Sequence, residues 1–242
     1  MPKPEEFEVI RERRPHWEFL QKLPKELHGF TFIEGGLILP IEKPGYPLVD
    51  CGDKRGHELL LGAYENEAAR RRLELIYTKE TYDYVPVRQV GLNRYRDFRY
   101  ITRDKDVFAE WITGAIDRLV EETAPGYMPR AGHMLKAKGI LDWHYPDKLP
   151  ERIGNFVKFI GPQYPLEFTN GTFIILDYVD FAGNNELMFL YNRIRDEFYA
   201  ENKKRLKPNT IHEFDAKKLP DLEELLEEKL EPYLLKLGNS GK

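Results

Sequence analysis

Among its 242 residues the chain has one cysteine, Cys51, and one serine, Ser240. A lone cysteine closes no internal disulfide, which excludes a disulfide-built secreted scaffold. The serine has no Gly-x-Ser-x-Gly elbow around it, so serine nucleophile chemistry is excluded as well. Long apolar runs are missing: Thr172 to Leu176 is broken by Asp177, whereas a membrane-spanning helix needs roughly 18 apolar residues or more. Glu5, Glu6 and Glu8 stand where a secretion signal carries a basic start and an apolar run. A cytoplasmic protein away from the membrane is therefore expected. There is no Gly-rich phosphate loop of either common type, which disfavours nucleotide binding by a standard loop and implies no cofactor. Global basicity is absent too, since 37 Lys plus Arg face 41 Asp plus Glu for a net charge of −4, the wrong sign for a nucleic-acid footprint over the whole molecule. No internal repeat is found at any period.

What is present suffices for a core: 41% of residues are apolar, with 14 Tyr, 14 Phe and 3 Trp, which removes an intrinsically disordered chain. The N-terminal stretch reads as two short helices broken at Pro15, the second ending before Pro24. Gly29 to Ile41 reads as two strands around Gly35 and Gly36, followed by a loop from Lys43 to Gly56. Tyr64 to Arg72 is a short helical candidate, Leu73 to Thr78 a strand, and Tyr84–Val90 with Asp97–Thr102 a strand pair around Gly91. The spacing of Phe108, Ile112, Ala115, Ile116 and Leu119 predicts a helix over Asp106–Glu122, capped by Asp104 or Asp106.

Periodicity then fails from Pro125 to Glu151. Asn155–Ile160 and Thr172–Phe181 read as strands, Asn184 or Asn185 as the cap of a helix to about Arg205, and Leu219 to Leu237 as a final helix kinked at Pro232. Strands in hairpins followed by helices give an α+β class, an antiparallel sheet with packed helices and a C-terminal helical segment. One extended unit over 1–242 is favoured, with 125–150 as the candidate boundary.

Several groups of residues could carry chemistry. Cys51 would be a nucleophile if His57 folded beside it. His57-Glu58 begins a zinc-protease pattern that Leu61 ends, because the second histidine is missing. Asp142, His144, His133, His212 and Asp215 would have to converge to hold a metal, which spacing does not require, and no metal site is expected. Asp177, Asp180 and Glu186 could hold Mg²⁺ with Arg193, Lys203 or Lys204 beside them. Turns and helix caps account for the same residues more economically.

Charge is unevenly spread along the chain. Arg88, Arg94, Arg96, Arg99, Arg103 and Lys105 face only Asp97 and Asp104 within their window, with Tyr95, Phe98 and Tyr100 interleaved. Arginine forks and aromatic rings of this kind bind phosphates, carboxylates or bases, so Arg88, Arg94, Tyr95, Arg96, Arg99 and Arg103 are the candidate binding residues. In an extended strand the aromatics would enter the core and the arginines solvent. Glu213 to Glu231 has the opposite sign, with eight acids against three lysines. The reading that follows is a non-enzymatic interaction or assembly-subunit protein of the immunity, phage or defence type, with another protein as partner. The alternatives are a metal-dependent hydrolase or nuclease, a nucleic-acid module on the arginine hairpin, and association with a second copy of the chain.

Overall fold

The computed structural model describes residues 7–40, 57–79, 81–168 and 171–239. Contacts group the chain into two compact units, Met1–Pro125 and Gly126–Lys242. The division falls at the leading edge of the stretch where periodicity fails. In the first unit, α1 (Phe7–Arg13), a 3-10 turn at Arg14–His16 and α2 (Glu18–Lys22) lead into β1 (Glu26–Leu27), β2 (Phe30–Glu34) and β3 (Ile38–Pro40). The meander β4 (His57–Asn66), β5 (Arg71–Thr78), β6 (Asp83–Val90) and β7 (Asn93–Arg96) follows, and α3 (Lys105–Glu121) closes the unit. Strand order is β1-β2-β4-β5-β6-β7, with β3 also on β4.

The second unit runs through α4 (Gly132–Ala137), a 3-10 turn at Tyr145–Lys148, β8 (Arg152–Ile153), β9 (Phe156–Ile160) and β10 (Leu166–Glu167). Next come β11 (Thr172–Asp180), β12 (Asn185–Asn192), β13 (Glu197–Lys204), β14 (Lys207–Ala216) and finally α5 (Leu219–Asn239). Its order is β8-β9-β11-β12-β13-β14, with β10 on β11. All pairings in both sheets are antiparallel, and the α+β class is as the sequence predicts.

The two units repeat one plan, residue for residue. From β4 onward each position in the first unit has its counterpart 114 residues later. The turn closed by Asn66 and Arg71 matches that closed by Asp180 and Asn185, Thr78 and Asp83 match Asn192 and Glu197, and Val90 and Asn93 match Lys204 and Lys207. Both first turns are organised by a side-chain oxygen: Asn66 Oδ1 accepts from the Ala69 amide and Asp180 Oδ1 from the Gly183 amide, each at 2.9 Å. Both end on a residue of positive φ, Arg70 and Asn184. A β-bulge interrupts β4 between Leu60 and Gly62 and β11 between Ile174 and Leu176.

The entry segments match as well, 126 residues apart. Trp17, Lys22, Leu23, Pro24 and Phe30 recur as Trp143, Lys148, Leu149, Pro150 and Phe156. Tyr64 Oη donates to the Pro24 carbonyl at 2.7 Å and Tyr178 Oη to the Pro150 carbonyl at 2.6 Å, so each tyrosine ties the meander to the segment that enters it. These findings overturn the absence of an internal repeat. From β4 to α3 the identities in register are only Tyr64/Tyr178, Ala68/Ala182, Leu73/Leu187, Tyr77/Tyr191 and Leu92/Leu206, too sparse to register as a period. The Trp…Lys-Leu-Pro…Phe signature was the readable part.

Core composition follows the same register. In the first unit Leu59, Leu61, Tyr64, Leu73, Leu75, Tyr77 and Tyr84 pack with Phe108, Ile112, Ile116 and Val120 of α3. In the second, Phe173, Ile175, Tyr178, Leu187, Phe189, Tyr191 and Phe198 pack with Leu222, Leu226, Leu230 and Leu234 of α5. The helix predicted from apolar spacing is α3, capped by Asp104, whose side chain accepts from the Asp106 and Val107 amides.

Four readings need correction. Tyr64–Arg72 and Asn184–Arg205 are not helices but the strands and turns of β4–β5 and β12–β13. Every residue of β12 is buried, and a strand buried on both faces loses the two-residue alternation that separates strands from helices. Residues 97–102 do not form a strand: Asp97 accepts from the Arg99 amide and turns the chain into a 3-10 turn at Phe98–Tyr100, leaving only the bridge Tyr84–Thr102. Residues 125–150 are not simply irregular, since Leu135, Ile140 and Trp143 belong to the second core. The final helix is α5, and Pro232 lies inside it. The loop expected at Lys43–Gly56, with Cys51, lies outside the described residues.

The paired tyrosines make a test of the repeat. Tyr64→Phe and Tyr178→Phe each remove one hydrogen bond to a proline carbonyl, and each should lower unfolding stability by about 1 kcal/mol. Urea denaturation of the two variants should show losses of the same size.

Candidate functional site

The arginines singled out in the sequence are brought together, and carboxylates from distant elements come with them. Strand β7 carries Arg94 and Arg96 to buried Glu58 on β4 and Glu74 on β5. Arg94 Nη2 is 2.5 Å from Glu58 Oε2 and 2.7 Å from Glu74 Oε2, and Arg96 Nη2 is 3.1 Å from Glu58 Oε1. Arg72 adds a contact to Glu74 at 3.3 Å.

A second network lies between β6 and the end of α3. Arg88, with 7% of its side chain exposed, bonds Asp97 at 3.0 Å and also Glu122. Arg99 bonds Asp97 at 2.6 Å and Glu122 at 2.5 Å. Arg103 is 3.5 Å from Asp83 and 59% exposed, and Tyr95 lies opposite Arg88 in the β6–β7 ladder. Residues 88–105 hold too few acids to neutralise these arginines, but the fold supplies Glu58, Glu74, Glu122 and Asp83.

Aromatics and arginines are also distributed differently from the strand expectation. Phe98 is 68% exposed because the turn at Asp97 breaks the alternation, while Arg88, on β6, is buried. Burial alone would raise the Asp97 and Glu122 carboxyls. Hydrogen bonds from Arg99 and the Arg88 charge more than offset it and hold both below the usual carboxylate range. The Asp97 bonds raise the Arg99 guanidinium in return.

Of the acids proposed to hold Mg²⁺, Asp177 and Glu186 meet and Asp180 does not join them. Asp180 is engaged in its turn, with the Gly183 amide and with Asn185 Nδ2 at 3.2 Å. Asp177 and Glu186 are fully buried, and Lys203 Nζ lies 2.7 Å from Glu186 Oε2. Two carboxyls face one ammonium. Burial, followed by the Glu186 charge and the hydrogen bond between the two carboxyls, drives the Asp177 pKa well up, against weaker opposing pulls from Lys203 and the Tyr178 amide. Burial and the neighbouring charge thus favour the protonated form of Asp177, which can donate to Glu186.

The histidines stay apart. His144 pairs with Asp147 at 3.0 Å and His212 with Asp215 at 2.8 Å, all exposed, while His133 and Asp142 are exposed elsewhere. Among the described residues no three His, Cys, Asp or Glu side chains are grouped to hold a metal, and no helix is long and apolar enough to cross a membrane. Sequence reasoning missed the ion networks because Glu58 and Glu74 lie 38 and 20 positions from the arginines they meet.

On α5, Asp221, Glu224, Glu227, Glu228 and Glu231 are exposed. Glu223 instead accepts from Trp143 Nε1 at 2.7 Å, and Lys229 reaches the Glu213 carbonyl.

Two outcomes follow from these electrostatics. Arg88→Ala leaves Asp97 and Glu122 short of a partner and should cost about 3–5 kcal/mol, against less than about 1 kcal/mol for exposed Arg103→Ala. Because folding lowers the Asp97 and Glu122 pKa values, their contribution is complete above the unfolded carboxylate range, near pH 4.5 and higher. It disappears as pH falls through the lowered values; urea midpoints from pH 7 to pH 2 measure this.

Asp177 has the opposite sign. Its folded pKa is raised, so the stability it contributes is present below about pH 4 and is lost as pH climbs toward the folded value. Asp177→Asn keeps the donor to Glu186 without the titration. It should add at least about 1 kcal/mol at pH 8 and little at pH 4, read from the same midpoints.

No family model, curated protein or solved structure matches the chain.

Proposed function

We propose that the protein is a non-enzymatic interaction protein, an assembly subunit or an immunity-like, phage or defence component, whose partner is a protein presenting a basic surface. The carrying observation is the contrast between its two charged regions. The arginines of β6, β7 and the following turn are committed to Glu58, Glu74, Asp97 and Glu122. The five exposed acids of α5 form no ion pair among the described residues. Positive charge is thus largely neutralised at home while negative charge is displayed on a rigid helix, where it can steer and orient an oppositely charged partner. The commitment of these arginines to carboxylates ranks the arginine hairpin lower as a phosphate-binding site.

The test is charge reversal on α5. The triple variant Glu224→Lys, Glu228→Lys, Glu231→Lys alters exposed positions only and should unfold within about 0.5 kcal/mol of the unaltered chain. Isolated from its source cells, the unaltered protein should bring down a partner that is released as salt rises, and the variant should not. A monodisperse monomer carrying no partner would overturn the proposal. The Asp177–Glu186 contact is the one observation favouring a metal-dependent hydrolase. Thermal unfolding with Mg²⁺, Mn²⁺ and Zn²⁺ separates the two readings, because an ion bound only by the folded state raises its melting temperature.

A further inference from the structure

Basic side chains gather at one end of the second sheet. Ile153 pairs with Phe156, Asp180 with Asn185 and Lys204 with Lys207, and β9 runs antiparallel to β11 with Val157 opposite Val179. The turns that follow β8, β11 and β13 therefore share that end. Two of them are bonded together: the Leu206 amide donates to the Asn184 carbonyl at 2.9 Å and the Arg205 amide to Asn185 Oδ1 at 3.1 Å. Arg152, Lys204 and Lys207 stand there exposed, and none of the three forms an ion pair among the described residues.

The hairpin itself does not require lysine. In the first unit the corresponding positions are Val90 and Asn93, which close the β6–β7 turn and are both buried. Lys204 and Lys207 face each other directly across the β13–β14 pair, and like charges so placed repel.

Helix α5 gives the same unit a second pole of opposite sign. Its C-terminal end lies at the basic end of the sheet: a Cβ on Gly154 would come within 3.3 Å of Leu235 Cδ2, and one on Gly238 within 3.3 Å of Phe156 Cε2. Its N-terminal end lies at the other. A Cβ on Gly139 would meet Leu219 at 3.7 Å, and the adjoining Lys138 pairs at 2.5 Å with Asp196 in the turn between β12 and β13. The exposed acids between Asp221 and Glu231 thus centre about 16 Å along the helix from Leu237. Glu224 and Glu228, like Glu227 and Glu231, are four residues apart on the helix, where like charges also repel. Each pole keeps charge of one sign without an ion pair among the described residues, and the two poles complement each other.

Two copies laid antiparallel set the acidic helix of each beside the basic turn of the other. A contact made twice about a two-fold axis closes on itself and leaves neither pole open. We propose that the protein pairs with a second copy of itself in this way, the basic surface that α5 meets being the β13–β14 turn of the other copy. The proposal rests on the reading of α5 as the docking helix. A second copy is chosen over a nucleic acid because a polyanion would engage Lys204 and Lys207 yet supply no counter-charge to α5, whereas one symmetric contact serves both poles.

Sedimentation equilibrium of the purified chain by itself is the test. The unaltered protein should show twice the 28.6 kDa of one chain at low salt. At about 0.01 M salt the screening length is about 30 Å, and at about 1 M, where it falls to about 3 Å, the pair should separate into single chains. Charge reversal then sets which chains pair. Lys204→Glu with Lys207→Glu leaves a chain whose two poles are acidic, and Glu224→Lys with Glu228→Lys and Glu231→Lys leaves one whose poles are basic. Each variant alone should remain a single chain at low salt, and an equimolar mixture should form the 1:1 pair, because every pole then meets its opposite. An unaltered protein that stays a single chain at low salt, or that grows beyond a pair, overturns the proposal. So does a variant that pairs with itself, or a mixture that stays apart. The salt series uses the unaltered chain, so it decides the matter even if a variant fails to fold. A single chain that still leaves its source cells with a different protein bound through α5 overturns the self-pairing alone and keeps the proposed function.

Discussion

An antiparallel sheet with one strongly apolar face must have that face covered, and in each unit one long helix after the meander covers it. The buried positions of that helix are the same in both units: Phe108, Ile112, Ile116 and Val120 in α3, and Leu222, Leu226, Leu230 and Leu234 in α5. Burying each such side chain contributes about 1.5–3 kcal/mol before the entropy of ordering is subtracted. Turn lengths, the bulge in the first long strand and the tyrosine bond to the entering proline then hold the strands in the register that presents seven matching core residues to that helix. A change of one residue in any turn would rotate half of them away from it.

This constraint leaves the identity of most residues free, and the two units have used the freedom differently. Ala63, Arg72 and Gln89 in the first unit stand where Asp177, Glu186 and Lys203 stand in the second. Arg14 stands where Ile140 does. The apolar counterparts are substitutions within one chemical class, whereas the polar counterparts change sign or lose charge altogether. Buried polar groups are therefore not demanded by the plan. They are local features that each unit accommodates by pairing, by favouring a proton, or, at Arg14, by a hydrogen bond to the Leu61 carbonyl.

The charged network around Glu58 and Glu74 is assembled by the meander. Strand β7 is the edge of its sheet, yet Arg94 and Arg96 reach across β6 and β5 to acids on β5 and β4. Long arginine side chains cross neighbouring strands at this distance, and the low exposure of Glu58 and Glu74 keeps solvent from screening the pairs. The basic hairpin of the sequence is consequently close to neutral in the folded unit, while the acids of α5 face solvent.

Legibility followed the range of the interactions. The α3 helix, its Asp104 cap, the Pro15 break and the strands Leu73–Thr78 and Thr172–Phe181 were readable because spacing, capping and turn chemistry act within a few residues. β12 and β13 were misread as helix because burial on both faces erases the alternation of a strand, and Asn184 marks a turn at positive φ rather than a cap. The repeat is hidden in the sequence because its two halves keep burial and turn length rather than residue identity. By itself the sequence determined the α+β class, the amphipathic helices and the separation of basic and acidic stretches, all consequences of local pattern. Only the tertiary structure decided that each half follows one plan, that the arginines are already paired, and that Asp177 and Arg14 are buried with too little compensating charge, because contacts between residues tens of positions apart leave no mark in local pattern.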